Sequence, residues 1–192
     1  MRTLIGYIKQ YGDKSVRNGL TAGLILALRA GNVRNLSPNN LKVDENGDYY
    51  LHFSRDEMKI KANGDEYLGI PRAVGEWLQS LTKDSTKLYF PSIKGTRLSE
   101  NTFSKALSGC AFKTAKGKIV FHSNRKNFST LCNENMPQNG LNPWEVELAL
   151  SHRIGGIAGI YNKASNTATT RKVFSWWVGF LEQNGLDWIK NA

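Results

Sequence analysis

Cysteine is scarce in this chain: two in 192 residues, Cys110 and Cys132. Neither has a His or Cys partner at metal-ligand spacing, so a disulfide framework and a zinc site are not expected. Long apolar runs are also lacking. The longest, at residues 24–28, falls far short of the roughly 18 residues a membrane-spanning helix needs. The opening stretch MRTLIGYIKQYGDK has no apolar core of the signal-peptide kind, and a soluble cytoplasmic protein is the expectation. Repeats, low-complexity tracts and linkers are missing too, which predicts one domain over residues 1–192. Acidic residues are in deficit, with 16 Asp and Glu against 26 Lys and Arg, a net charge of +10. A domain this basic suits a polyanion, of which nucleic acid is the commonest. The basic residues are spread along the chain rather than gathered in a tail, which favours a folded binding surface over a disordered arm.

What is present is enough for a core: 40% of residues are hydrophobic and only 22% charged. VRNGLTAGLILALRA, with Ser15 as N-cap and Gly31 as terminator, predicts a long helix with Val16, Leu20, Leu24 and Ala27 on one face. A short helical turn, NVRNL, is stopped at Ser37-Pro38. LKV, YYLHFS and EYLGIP read as strands, with NGD at 63–65 as a hairpin turn and Pro71 closing the last strand. EMKIKA either continues the second strand or starts a new one. Helices are then expected around Val74, Trp77, Leu78 and Leu81; from a Ser99 cap through Phe103, Ala106, Leu107 and Cys110; after His122; over WEVELAL; and around Val173, Trp176, Trp177, Phe180 and Leu181. The fold class is α+β: a mostly helical body with a small three-stranded antiparallel sheet near its N-terminal side.

Four places carry chemistry. Arg29 ends an apolar helix and there needs an anion, solvent or a buried salt bridge. In FHSNRKNFSTL, His122 and Arg125 form H-x-x-R, a pattern that also recurs by chance. With Ser123 as N-cap, a phosphate there would meet an imidazole, a guanidinium and the free N–H groups of a helix start. His152 follows an apolar helix in ELALSHRIGG, and Tyr161 lies beyond Gly155 and Gly156 in GIYNK. Of the three histidines, His52 sits in a strand and reads as structural or surface.

In this order the pieces resemble the tyrosine recombinase family of phage-type integrases. LRAGNVRNLSPNNL matches the first box, with Arg29 as the first arginine and Val33, Leu36 and Leu41 at apolar positions. DEMKIKANGDEYLGIP matches the β-hairpin that carries a lysine, either Lys59 or Lys61; the two share a strand face, so spacing does not separate them. His122 and Arg125 match the second box, LSH places His152 as the second histidine, and Tyr161 falls at the nucleophile's position. The likeness runs from about Ser15 to Leu181, ending in RKVFSWWVGFL. Two departures stand out: Asn32 replaces the glutamate many relatives carry after the first arginine, and the usual N-terminal DNA-clamping domain is not expected within these residues.

The resemblance implies a DNA strand transferase for site-specific recombination of a mobile element. Tyr161 would be the nucleophile, Arg29 and Arg125 the phosphate ligands, and Lys59 the general acid. His122 would accept the tyrosine proton and His152 would hold a phosphate oxygen. It implies double-stranded DNA as partner, a homo-tetramer docked through the C-terminal helix (plain core packing of Phe174, Trp176 and Trp177 being equally compatible), a nucleoid setting, and no cofactor, metal or ATP. The rival readings are a type IB topoisomerase-like enzyme, a catalytically silent DNA-binding protein, and an RNA-binding or structural basic protein.

Overall fold

The computed structural model describes residues 1–58, 64–114, 117–152 and 163–187. A helical body surrounds one central helix, and a small sheet packs on its side, as the apolar periodicities predict. Helix α1 (Arg2–Lys9) buries Leu4, Ile5 and Ile8. Helix α2 (Lys14–Ile25) is buried along almost its whole length. Its cap is Asp13, whose carboxylate accepts the Val16 N–H at 3.0 Å. Ser15, expected as the cap, donates instead to the Pro91 carbonyl. The helix also stops early. Ala27 adopts a left-handed conformation (φ 48°), and Arg29 is the extended residue preceding α3 (Ala30–Asn35). The early stop has a tertiary cause: carbonyls at this end bond elsewhere, that of Leu24 to Trp177 Nε1 and that of Ala27 to Arg125.

The sheet runs β1 (Leu41–Val43), β2 (Tyr49–Phe53) and β3 (Glu66–Gly69), antiparallel in that order. Leu41 faces Leu51, and Tyr50 faces Gly69. In β2, Tyr49, Tyr50 and Leu51 are all buried, because helices cover both sheet faces where an exposed face would give alternation. Tyr49 lies under Gly75 of α4 (Arg72–Leu81), and β3 packs on α9 (Lys163–Gln183). At Gly69 any Cβ would collide with the Thr167 carbonyl, and the Gly69 N–H donates to Thr170 Oγ1 at 2.8 Å. Only glycine allows sheet and helix to come this close.

Helix α5 (Thr102–Leu107) starts at Asn101; the Ser99 hydroxyl bonds Thr102 Oγ1 just before it. A two-stranded ribbon the sequence did not announce, β4 (Lys113–Thr114) with β5 (Gly117–Lys118), leads into α6 (Ser123–Glu134). Helices α7 (Met136–Asn139) and α8 (Pro143–Ala149) follow. Phe103 and Phe121 stack at 4.7 Å over the glycine face of α2, at Gly19 and Gly23, which sets the entrance of α6. Of the C-terminal aromatics weighed for docking or core, Phe174 and Trp177 are core, both 0% exposed. Trp176 is half-buried and stacks on Phe180 at 5.5 Å. Lys172 pairs with the buried Glu145 at 3.0 Å, so α9 is locked to α8. Among the described residues no helix is long and apolar enough to cross a membrane.

Candidate active site

Four residues singled out from sequence, Arg29, His122, Arg125 and His152, line one cavity of about 1070 Å³. They arrive from three places: the α2–α3 junction, the first turn of α6, and the end of α8. Lys59, Lys61 and Tyr161 lie outside the described residues.

Arg125 is the centre of the arrangement. It is 5% exposed, and its guanidinium donates from Nη1 to the Ala27 carbonyl at 2.7 Å and from Nη2 to the Leu150 carbonyl at 2.6 Å. Burial, helped by the nearby Arg29 charge and opposed by Glu147, pushes its pKa down to about 10, still well above neutrality. The two carbonyls have a shared peculiarity. Ala27 (φ 48°) and Ser151 (φ 55°), which follows Leu150, are the non-glycine residues in the left-handed region among those described. Each such residue costs about 1–3 kcal/mol, so the chain is bent at both points where it meets the guanidinium.

At Ser151 the bend closes α8. The Ser151 N–H bonds the Leu148 carbonyl at 2.9 Å and the His152 N–H bonds the Glu147 carbonyl at 3.0 Å, the paired bonds of a Schellman ending. This closure brings His152 back beside Glu147, and Nδ1 lies 2.7 Å from the Glu147 carboxylate. On its other side, Nε2 lies 3.2 Å from Arg125 Nη2. A guanidinium only donates, so Nε2 is the acceptor here and the ring proton sits on Nδ1. The ring N–H expected to face a phosphate is directed at Glu147 instead.

Arg29 is the opposite case. It is half-buried and lines the cavity; its carbonyl accepts the Val33 N–H at 3.1 Å, but its guanidinium has no hydrogen bond or ion pair among the described residues. The buried salt bridge weighed from sequence is not what holds it. Asn32, at the position of the missing glutamate, donates to the Glu57 carbonyl at 3.4 Å and leaves Arg29 alone.

His122, not Ser123, is the residue preceding α6, and its side chain is exposed on the cavity rim. The helix start does not offer free amides. The N–H groups of Ser123, Asn124 and Arg125 bond the carbonyls of Val120, Phe121 and His122 at 2.8, 3.1 and 3.2 Å. The start of α6 therefore has no spare amide among Ser123, Asn124 and Arg125 to offer an anion. Lys113, Lys126 and Glu147, which sequence reasoning passed over, also line the cavity. Lys126 adjoins the H-x-x-R box and was visible there, whereas Glu147 is brought in by the turn at Ser151.

The described residues on either side of positions 59–63 are braced. On one, Glu57 accepts from Asn40 at 2.9 Å and from the Ser54 N–H at 2.8 Å. Burial raises the Glu57 pKa, but these hydrogen bonds outweigh it and the net shift is downward. On the other, Asp65 meets His52 Nε2 at 2.9 Å and accepts the Arg55 N–H at 2.9 Å, and the His52 bond is the main reason its pKa falls. His52 also stacks on Tyr67 at 4.7 Å, the structural role expected of it. Gly64, in the expected turn, has φ +74°. Among the described residues no group of three or more His, Cys, Asp or Glu could hold a metal ion.

A helical body with a small antiparallel sheet on one flank, and two arginines and two histidines around one cavity, fits a tyrosine recombinase catalytic domain. The chain belongs to the phage integrase family, whose model matches residues 2–167. No curated protein sequence matches it. Among solved structures it is similar to the XerH site-specific recombinase bound to difH substrate, in a pre-cleavage complex. That match has 18% identity and a TM-score of 0.52, and covers 97% of this chain and 50% of the other. At that identity the likeness is one of fold, and the chain spans half the length of the recombinase it matches.

Proposed function

We propose that the chain cuts and rejoins double-stranded DNA through a 3′-phosphotyrosine bond at Tyr161, in the integration or excision of a mobile element. The observation that carries this reading is the Arg29 guanidinium, without a partner among the described residues, in the cavity that Arg125, His122 and His152 also line. Two permanent cations in one cavity suit the non-bridging oxygens of one phosphodiester. Tyr161 Oη attacks phosphorus, and its proton passes to His122. The P–O5′ bond breaks, and the leaving oxygen takes a proton from Lys59, with Lys61 the rival for that role. Arg29 and Arg125 neutralise the charge that develops on phosphorus oxygens. His152 accepts from Arg125 Nη2 through Nε2 and so holds that guanidinium toward the phosphate. The bond energy stays in the phosphotyrosine, so a second DNA end can reverse the step on another strand without ATP.

The fold neighbour's substrate-bound state supports DNA as the partner. A tetramer on two DNA sites suits strand exchange. With Phe174 and Trp177 in the chain's own core, docking through the C-terminal helix falls to its other side, where Trp176 is half-buried.

The test is a covalent-adduct assay with a pool of labelled nicked duplexes and supercoiled plasmid, quenched in detergent. The expected result is a detergent-stable adduct from the wild type and none from Tyr161→Phe, with DNA binding retained. Plasmid relaxation without strand exchange would point to the topoisomerase-like reading. Salt-sensitive binding with no adduct from a chain that includes a clamping domain would sink the enzymatic one.

A further inference from the structure

The geometry points to Glu147 as a positioning residue that fixes the ring of His152 and, through it, Arg125. This inference rests on the reading of the cavity as a phosphodiester-cleaving site.

Three observations carry it. First, the Glu147 carboxylate stands 2.7 Å from Nδ1 of His152, and Nε2 of the same ring stands 3.2 Å from Arg125 Nη2. The three side chains form one chain of hydrogen bonds running from solvent to the buried guanidinium. Its sense is fixed by chemistry: Arg125 only donates and the carboxylate only accepts, so the proton on Nδ1 is held by Glu147. Second, the pairing is built in twice. The Schellman closure of α8 bonds the His152 N–H to the Glu147 carbonyl at 3.0 Å, so backbone and side chain hold the same two residues together. Third, the carboxylate that many relatives place after the first arginine is Asn32 here, and Asn32 bonds the Glu57 carbonyl. Glu147 is the carboxylate that lines the cavity and stands against the buried arginine. Without it, Nδ1 would have no acceptor. The ring would be free to take the Nε2–H tautomer, which turns an N–H against an N–H of Arg125.

The test has two readouts. The first needs no DNA. With only three histidines in the chain, long-range proton–nitrogen NMR spectra resolve each ring. The expected result is a ring protonated at Nδ1 for His152 in the wild type and in Glu147→Gln, whose amide oxygen still accepts, and a shift toward the Nε2–H tautomer in Glu147→Ala. An unchanged tautomer in Glu147→Ala overturns the proposal. The second readout is the single-turnover rate of adduct formation. Loss of an orienting partner typically costs about 10–100-fold, so Glu147→Ala is expected to slow cleavage by at least about tenfold with unchanged DNA affinity, and Glu147→Gln to restore part of it. The double variant Glu147→Ala/His152→Ala is expected to be no slower than His152→Ala alone, because the two act as a unit. Multiplying defects overturn the proposal. If the wild type forms no adduct, the cleavage reading fails, while the tautomer measurement still decides the role of Glu147.

Discussion

Arg29 and Arg125 face the same cavity and carry the same charge, yet the fold treats them in opposite ways. Arg125 is 5% exposed, and its guanidinium is committed to two carbonyls and an imidazole. Arg29 is half-buried, and its guanidinium bonds to none of the described residues. One arginine is part of the scaffold; the other is held in reserve. Burial above all, and then the nearby Arg29 charge, depress the pKa of Arg125, so the cavity gathers positive charge that a phosphate would relieve. A side chain can therefore be essential to a site for two separable reasons, and substitution separates them.

The largest expected effect is at Arg125. Arg125→Ala leaves the buried Ala27 and Leu150 carbonyls without a donor, at about 1–3 kcal/mol each. It also removes a fixed cation, which typically slows reaction about a hundredfold to a thousandfold. Thermal unfolding is expected to drop by about 10 °C, together with the loss of adduct formation. Arg29→Gln is expected to lose a similar factor in rate, but to unfold within about 2 °C of the wild type, since it breaks no bond among the described residues. Equal thermal losses in the two variants would dissolve the contrast. The smallest effect sharpens it from the next position on α6. The Asn124 side chain is 0% exposed, and neither its Oδ1 nor its Nδ2 has a hydrogen-bond partner. Asn124→Leu should stabilise by about 1 kcal/mol, read as a higher urea midpoint, with adduct formation unchanged. A lower midpoint would mean that the amide contributes something the static geometry does not display.

Much of this was legible in the sequence, and the limits are physical. The three-stranded sheet, the helix around Trp77 and the helices flanking the second box follow from short-range periodicity and turn chemistry. The fold and the family follow from the order of motifs. Helix ends were less legible. Asp13 displaced Ser15 as a cap, and α2 stops short of Arg29 because carbonyls near its end serve Trp177 and Arg125, residues far away in sequence. The small β4–β5 ribbon has too few residues to show a period. At the site, Arg29, His122, Arg125 and His152 were named from motif and do converge on one cavity. Glu147 was missed because local periodicity places it on a core helix, and only the left-handed Ser151 turns His152 back onto it. The supposed free amides at the start of α6 were missed for a related reason: the turn before the helix uses them itself.

The two carbonyls that seat Arg125 have a temporal consequence. They belong to Ala27 and Leu150, on opposite sides of Arg125 in the chain. During synthesis, a nascent chain that ends before residue 150 has the arginine but only half its seat, and the imidazole beside it comes later still. The cavity is therefore finished late on the ribosome, after the helices that wall it. A truncated product carries the arginine without its full seat, and the cavity stays unassembled.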